Sequence, residues 1–543
     1  MSNGNIPFYL KIDGQILKDA MISCLEIRQE LGTHYWCEVE FRLLNQQQPP
    51  VASYLGKPLE FITFEEFTSE LPMFSGLVLE AEMEYELHGN SVARLRGVTQ
   101  SYKLQLTPEE DYFYKQNLKE VAQKVIGEDK LELQFNADGE CPRMNYVQWG
   151  ESDFDFLKRI ADDQGCFLRP TFTGIEIRRG FEDTGLSLQW HNEYGLMNFK
   201  LSGRLGQPAF NGSCYDPRTM ESRRFNQVKK EPQFFPDTAA DMVDAVLEQS
   251  KQLPADRLVF DGRAPKLNAY QSLLEKESQR ALGSKILARG LSRNVRLKPG
   301  EKVRIEGSDF AAEGDYGLLS VTHHYDQSNG YRNEFTATVW MDYCGAEQPR
   351  PQRITGVVSA RVVKHNDPRS MGRVQIKYDW MDESMTSWAR MTTPSAGGGR
   401  GFMFMPEIGD EVLVAFEHGD PERPYIVGAL WNGVDTAPRQ GFWEEEGTES
   451  AGSNGIQVAR DMARNDIKRI VTKSGHRIQM VDVKGRESIV ISTPGGQVIQ
   501  LVDQCPESGG RQMLALSSPG DIYLNAPNGR VHLRCKLFSK EIG

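Results

Sequence analysis

The sequence predicts a mainly β fold with α+β insertions, ending in a repetitive β segment. Three observations carry this prediction. Apolar and polar residues alternate through most of 1–100 and again through much of 201–350, as half-buried strands require. A block at 354–432 holds five strand-like runs punctuated by Gly and Pro. From Ile467 onward, apolar-x-apolar triplets return at steps of about eight residues between Pro and Gly corners. At roughly 150 residues per domain, a chain of 543 suggests about three or four domains.

Residues 1–100 open with Phe8 to Ile12, closed by the turn signal Asp13-Gly14. Tyr35 to Leu43 alternates, and Met73 to Leu87 pairs with Ser91 to Gly97 around His88-Gly89-Asn90. These strands are expected to curl into a first barrel. Across 101–200 the period changes to that of helices. Asn117 caps a helix whose apolar face is Leu118, Val121, Ala122, Val125 and Ile126. Ser152 and Asp155 resemble a capping box ahead of the face Phe156, Leu157, Ile160 and Ala161, with Gly165 as the stop. Asp162 and Asp163 read as solvated helix-end acids, because no partner marks them as catalysts.

Residues 201–350 return to strands after helical stretches at Ala239–Leu253 and Tyr270–Leu282, the stretch that the resemblance given below makes a second hub barrel. A turn at Leu297–Glu301 precedes the strand Lys302–Ile305, and Tyr316–Asp326 pairs with Tyr331–Trp340. His323 and His324 are adjacent on a strand and face opposite sides, so they cannot converge on one ion.

In 354–432 the runs Thr355–Lys364, Gly372–Asp379, Ser387–Met391, Glu411–Phe416 and Ile426–Leu430 match the strand count of a small Greek-key OB barrel. Many such barrels bind oligonucleotides, and Trp380, Trp388, Phe402 and Phe404 are candidate stacking residues. The block carries 8 Lys and Arg against 10 Asp and Glu, so the field has the wrong sign. Core and interface packing is the better reading of those aromatics. Residues 433–466 are a linker containing Glu444-Glu445-Glu446, a solvated acidic run.

Residues 467–543 repeat. Ile489 to Gly496, Leu514 to Asp521, Ile522 to Gly529 and Val531 to Arg534 each set an apolar-x-apolar triplet before or after a corner. This is the pattern of a β-helix or prism. One such ribbon is too thin to bury its own faces. Three intertwined copies would supply the cover, although the pattern alone also permits a monomeric solenoid.

The net charge is −12, but residues 451–543 carry 13 basic against 8 acidic side chains. A solvated β-surface explains that excess as well as contact with an anionic envelope does. The chain as a whole lacks the basic excess of a nucleic-acid binder. No run approaches the roughly 18 apolar residues of a membrane helix, and Met1 to Leu10 lacks the pattern of a secretory signal. Synthesis in the cytoplasm follows as the expectation, with the eight cysteines as reduced thiols. No cofactor or metal motif is present, so none is expected. His532 is the weak exception, an axial ion ligand if three copies met there, against the plainer reading of an outward-facing histidine.

The residues now resemble a known family, the valine-glycine repeat (VgrG) spike proteins of type VI secretion and related phage-tail-like contractile injection systems. The resemblance is carried by Ser387-Trp388-Ala389-Arg390, Thr393-Pro394 and Gly401-Phe402. It continues through Pro406-Glu407-Ile408-Gly409-Asp410-Glu411 and Gly419-Asp420-Pro421-Glu422-Arg423-Pro424 to Trp431-Asn432. Gln148 to Phe154 and Gly317 to Phe335 match as well.

The resemblance implies phage tail-hub-like barrels, an OB-fold collar and a C-terminal trimeric β-helix needle in a homotrimer. It implies an Hcp-like tube protein on the N-terminal ring, a PAAR-type tip protein at the C-terminus, and baseplate contacts. Effector cargo with its chaperone, and transient contact with a target envelope, complete the implied partners. For the tip contact the expected residues are Val531, His532, Leu533, Arg534, Leu537 and Phe538, because they end the repeat. No lysozyme-like segment separates collar from needle, and Gly543 follows soon after the last repeat. The expectation is a mechanical spike without catalysis. The rivals are a peptidoglycan-degrading enzyme, for which no two carboxylates are paired by any sequence feature, and an oligonucleotide-binding module.

Overall fold

A computed structural model describes the chain except residues 1–7, 19, 44–49, 66–68, 86–90, 129–130, 138–141, 191–194, 218, 258–266, 308–311, 344, 346–352, 382–387, 436, 438–465, 486, 506–510 and 537–543. It divides into two compact units, residues 1–430 and 431–543.

The first unit is built on a 13-stranded sheet. Its path runs from Leu196–Gly203 through Ile286–Ser292, Gly330–Thr338 and Gly314–Asp326 to Ala20–Glu30. It continues through Trp36–Leu43, Ser91–Val98, Ser69–Tyr85 and Pro58–Glu65 to Phe8–Ile12 and Gln15–Ile16. The strands expected to form two barrels therefore belong to one hydrogen-bonded surface. The join is the antiparallel pair of Ala20–Glu30 with Gly314–Asp326, in register from Glu30 opposite Ser320 to Cys24 opposite Asp326. Alternation sends Leu25, Ile27, Val39, Phe41, Phe61, Phe74 and Leu95 into one core. Ile286, Val303, Tyr316, Leu318 and Phe335 enter a second. At about 1.5–3 kcal/mol for each large apolar side chain, this burial is the main favourable term.

Between the two halves sit helices α1 (Leu118–Glu128) and α2 (Asp153–Asp163). Asn117 Oδ1 accepts from Glu120 N at 2.9 Å, and Glu120 Oε2 accepts from Asn117 N at 3.0 Å, a complete capping box. At α2 the box is half made. Ser152 Oγ accepts from Asp155 N at 3.2 Å, but the shorter Asp155 carboxylate accepts from Ser152 Oγ at 2.8 Å and from Gln105 Nε2 at 2.8 Å. The predicted apolar faces of both helices are buried in one cluster with Leu168, Ile175 and Ile177. Helices α3 (Ala240–Ser250) and α4 (Leu267–Gly283) lie close to their predicted positions. Tyr270 and Leu274 of α4 pack on Phe210, Cys214 and Phe225 of a separate small sheet.

Residues 358–429 form a closed barrel of five strands in the order Val358–Lys364, Val374–Tyr378, Trp388–Met391, Pro424–Ala429 and Glu411–Phe416. Val362, Ile376, Val412, Val414 and Ile426 fill it.

The second unit carries five antiparallel strands in chain order: Ile467–Val471, Arg477–Val481, Ser488–Ser492, Val498–Cys505 and Arg511–Ser517. The expected triplets at 522–524 and 531–534 are not strands. Each is a run of only three or four residues, and among the described residues no strand pairs with it.

Candidate functional site: the collar, its joint with the hub, and an open apolar face

The collar motif residues are brought together as turn architecture. Asp410 Oδ2 accepts from Glu407 N at 2.8 Å, and Asp410 N donates to Glu407 O at 3.1 Å. Gly409, at φ +102°, donates its N–H to Val362 O at 2.8 Å, and Val362 N returns a bond to Asp410 O. Pro406 O accepts from His365 Nε2 at 2.8 Å. At the opposite turn Gly419 has φ +78°, and a Cβ there would lie 2.9 Å from Arg353 Cβ, so only glycine fits. Asp420 Oδ1 accepts from Glu422 N at 2.9 Å, while Pro421 and Pro424 are buried. Trp388 is half-buried beneath Arg373, whose guanidinium holds Asp367 at 2.9 and 2.6 Å. That pair keeps the Asp367 carboxyl well below the usual carboxylate range.

The barrel core does not end at the barrel. Tyr112 and Val147, from the antiparallel hub strands Pro108–Gln116 and Met144–Ser152, belong to the same apolar cluster. Trp149 of the second strand meets Trp380 edge to face at 5.5 Å, and Trp380 stacks on Tyr378 at 5.0 Å. Of the four candidate stacking aromatics, Trp380 is committed to this joint, whereas Phe402 and Phe404 are exposed.

A buried charge cluster reinforces the joint. Arg159, on the packed face of α2, pairs with Glu151 and donates Nη2 to Val147 O at 2.9 Å. Glu422 of the collar faces Arg159 and Asp163, and burial together with Asp420 holds its carboxyl above the ordinary range. Sequence reading passed over Arg159. The available signal was an arginine set among Phe156, Leu157 and Ile160 on an apolar stripe.

Asp162 corrects the expectation of a solvated helix end. It is 4% exposed, its Oδ2 has no hydrogen-bond partner, and burial pushes its carboxyl up to about 8. The packing of α2 against Arg280 of α4 and against Gly345 removes it from water. His323 is buried 2.7 Å from Tyr331 OH, while His324 faces Glu26 at 3.3 Å on the other side, as alternation predicts. His34 Nδ1 lies 2.9 Å from Ser101 Oγ, but both side chains are buried and burial lowers the imidazole to about 4. That contact stabilises the core and presents no nucleophile to a substrate. Among the described residues no three His, Cys, Asp or Glu side chains are grouped to hold a metal. No helix among them is long and apolar enough to cross a membrane.

The second unit exposes a ladder. The register sets Ile470 opposite Ile478, Ile478 opposite Ile491, Met480 opposite Ile489, and Ile489 opposite Leu501. Ile491 faces Ile499, which faces Leu516, and Leu501 faces Leu514. All nine point to one side, and all are between 39 and 66% exposed. The tip residues Val531, His532, Leu533 and Arg534 are also exposed, and Leu537 and Phe538 lie outside the described residues.

A hub sheet with an inserted α+β layer, joined to an OB collar, defines the class of phage-type baseplate hubs. The family comparisons agree: residues 29–174 match the phage tail baseplate hub (GPD) family, and residues 358–431 match the type VI secretion system/phage-baseplate injector OB domain. Over both regions the chain is similar to the VgrG spike proteins. It is 26% identical over 384 residues to the actin cross-linking toxin VgrG1 of Vibrio cholerae, covering 65% of this chain and 34% of that protein. It is 22% identical over 452 residues to the type VI secretion system spike protein VgrG4b of Pseudomonas aeruginosa, covering 72% and 52%. The chain thus spans about a third to a half of the length of these relatives.

Two solved structures share the fold. An Escherichia coli component of the type VI secretion system, described as similar to bacteriophage T4 tail proteins gp27 and gp5, aligns with TM-score 0.51 and 18% identity, covering 78% of this chain and 99% of that one. The half-lidded Francisella PdpA–VgrG complex aligns with TM-score 0.59 and 9% identity, covering 95% and 88%.

Proposed function

We propose that the chain is the structural spike and tail hub of a contractile injection apparatus, acting as a homotrimer. The observation that carries this is the apolar ladder of the second unit. Nine large side chains on one face are half in water, and each stands to contribute about 1 kcal/mol when covered. Two further copies of the same ribbon supply matching faces, close the sheet edges and leave a dry core.

The work of such a spike is mechanical. Contraction of a surrounding sheath drives the tube and spike through a target envelope, and lateral backbone pairing shares the load across many hydrogen bonds. In this reading the hub carries an Hcp-like tube protein and meets baseplate proteins. Val531 to Arg534, continuing to Leu537 and Phe538, receive a PAAR-type tip protein. Effector cargo travels with the spike under a chaperone's care, and the assembly leaves the cytoplasm through the apparatus. The spike itself contributes no catalysis. The buried state of His34 and Ser101 and the structural roles of the collar motif support that part.

The test is absolute mass in solution. Three copies of a 61.4 kDa chain make about 184 kDa. A particle of that mass is expected from multi-angle light scattering of the full chain. A monodisperse monomer at micromolar concentration would overturn the reading.

A further inference from the structure

The hub holds a cleft of about 350 Å³ where its three parts meet. Met73 and Phe74 of the strand Ser69–Tyr85 give it apolar lining, Phe172 of the inserted layer is an exposed wall, and Lys298 and Glu301 flank the turn before Glu301–Glu306. Such a volume lies within the usual range for small-ligand pockets.

Three polar groups in this cleft lack the partners their chemistry asks for. Gln29 is 5% exposed; its Nε2 donates to Met73 O at 2.9 Å, which fixes the amide, and its Oε1 is a buried acceptor with no partner. An orphan of this kind costs about 1–3 kcal/mol until a donor reaches it. Lys298 rests 5.8 Å from the centre of the Phe172 ring and forms no ion pair among the described residues. Glu301 is half-buried, and burial pushes its carboxyl up despite Lys298 and Arg169 nearby. Arg169 itself is spent on Glu176, on Glu182 at 2.9 Å and on Pro299 O at 3.0 Å.

We propose that this cleft binds a small zwitterion with an apolar side chain, of the class of an α-amino acid or dipeptide. The ligand's ammonium donates to Glu301, its carboxylate accepts from Lys298, and its side chain lies on Met73 and Phe74. A purely anionic ligand would face Glu301, and a purely cationic one would face Lys298, whereas a zwitterion satisfies both. Because the lining comes from all three parts of the hub, an occupant ties them together. The inference goes beyond the spike reading and does not depend on it.

The experiment is ligand-observed NMR on the full chain with L-leucyl-L-leucine, its N-acetyl form and its C-terminal amide. The free dipeptide is expected to saturate, and each capped form to bind about tenfold more weakly, the loss of one charge-assisted contact. Lys298→Met should erase the difference between acid and amide, and Glu301→Gln the difference between amine and acetyl. Absence of saturation up to about 10 mM, or equal binding of capped and free forms, overturns the proposal. The comparison on the unmutated chain decides the matter even where a variant fails to fold.

Discussion

The collar and the tail are both five-stranded, and they solve the same problem in opposite ways. The collar closes on itself, so Val412, Val414 and Ile426 are buried within one chain. The tail strands pair only in sequence order, and the ladder from Ile470 to Leu516 stays half in water. Strand count and alternation are alike; closure differs. A barrel needs its first and last strands to meet, which the collar achieves by pairing Val358–Lys364 with Glu411–Phe416. The tail's short corners keep each strand beside its sequence neighbours, and among the described residues nothing pairs with the two edges. What the collar finishes alone, the tail finishes with other copies in the trimer proposed above.

The largest test breaks the tail's half of the comparison. Ile491 and Ile499 face each other on the ladder. Replacing both with Asp puts six carboxylates into a closed three-copy core, at several kcal/mol per buried charge. The expected outcome by light scattering is loss of the three-copy mass, with hub and collar melting intact. A variant that kept the wild-type mass would place assembly elsewhere. The matching change in the collar is Val414→Asp, which buries one carboxylate in a core that this chain closes by itself. It should cost about 3–5 kcal/mol in urea unfolding and leave tail assembly in place.

How far the sequence foretold this difference is instructive. Both strand sets, both capped helices and the collar's turn residues were legible, because period, caps and Gly–Pro corners are local signals. The ladder was legible as a face needing cover. The joint was not: the strands that carry Tyr112, Val147 and Trp149 were not read from the sequence, and nothing local says that their outer face completes the collar core. Asp162 failed for the same reason, since its burial comes from Arg280 and Gly345, more than a hundred residues away in sequence. Long-range contacts alone decide such positions.

The joint gives the next prediction. Arg159 is buried between hub and collar, so Arg159→Met leaves Glu151 uncompensated and should cost about 3–5 kcal/mol. Removing both charges, with Arg159→Met and Glu151→Leu, should recover most of that loss, because a well-packed apolar pair avoids the desolvation of two ions. Equal destabilisation by the single and double variants would mean that the residue acts only through its bond to Val147 O.

The smallest effect expected near pH 5 comes from a pH dependence set by buried groups of the first unit, which sharpens the contrast because the nine apolar side chains of the tail ladder do not titrate. Asp162 holds its proton up to about 8 in the folded chain, against an ordinary value of 3.8. Between those limits the unfolded chain binds fewer protons than the folded one, so stability falls as pH rises through the window. Glu422 shifts in the same direction. His34 acts oppositely and lower, since its imidazole, held down at about 4, costs stability as pH falls below 6.5. Asp162→Asn keeps a neutral side chain in the same space at every pH. It should raise stability by about 1–2 kcal/mol near pH 5 and by roughly 4–6 kcal/mol near pH 9, read from urea midpoints of the full chain. Arg280 and Lys158 both lie close enough to offset part of the burial, so the shift is smaller than burial alone would give. An equal gain at both pH values would show that Asp162 is ionised in the folded chain, with Arg280 as its true counter-ion.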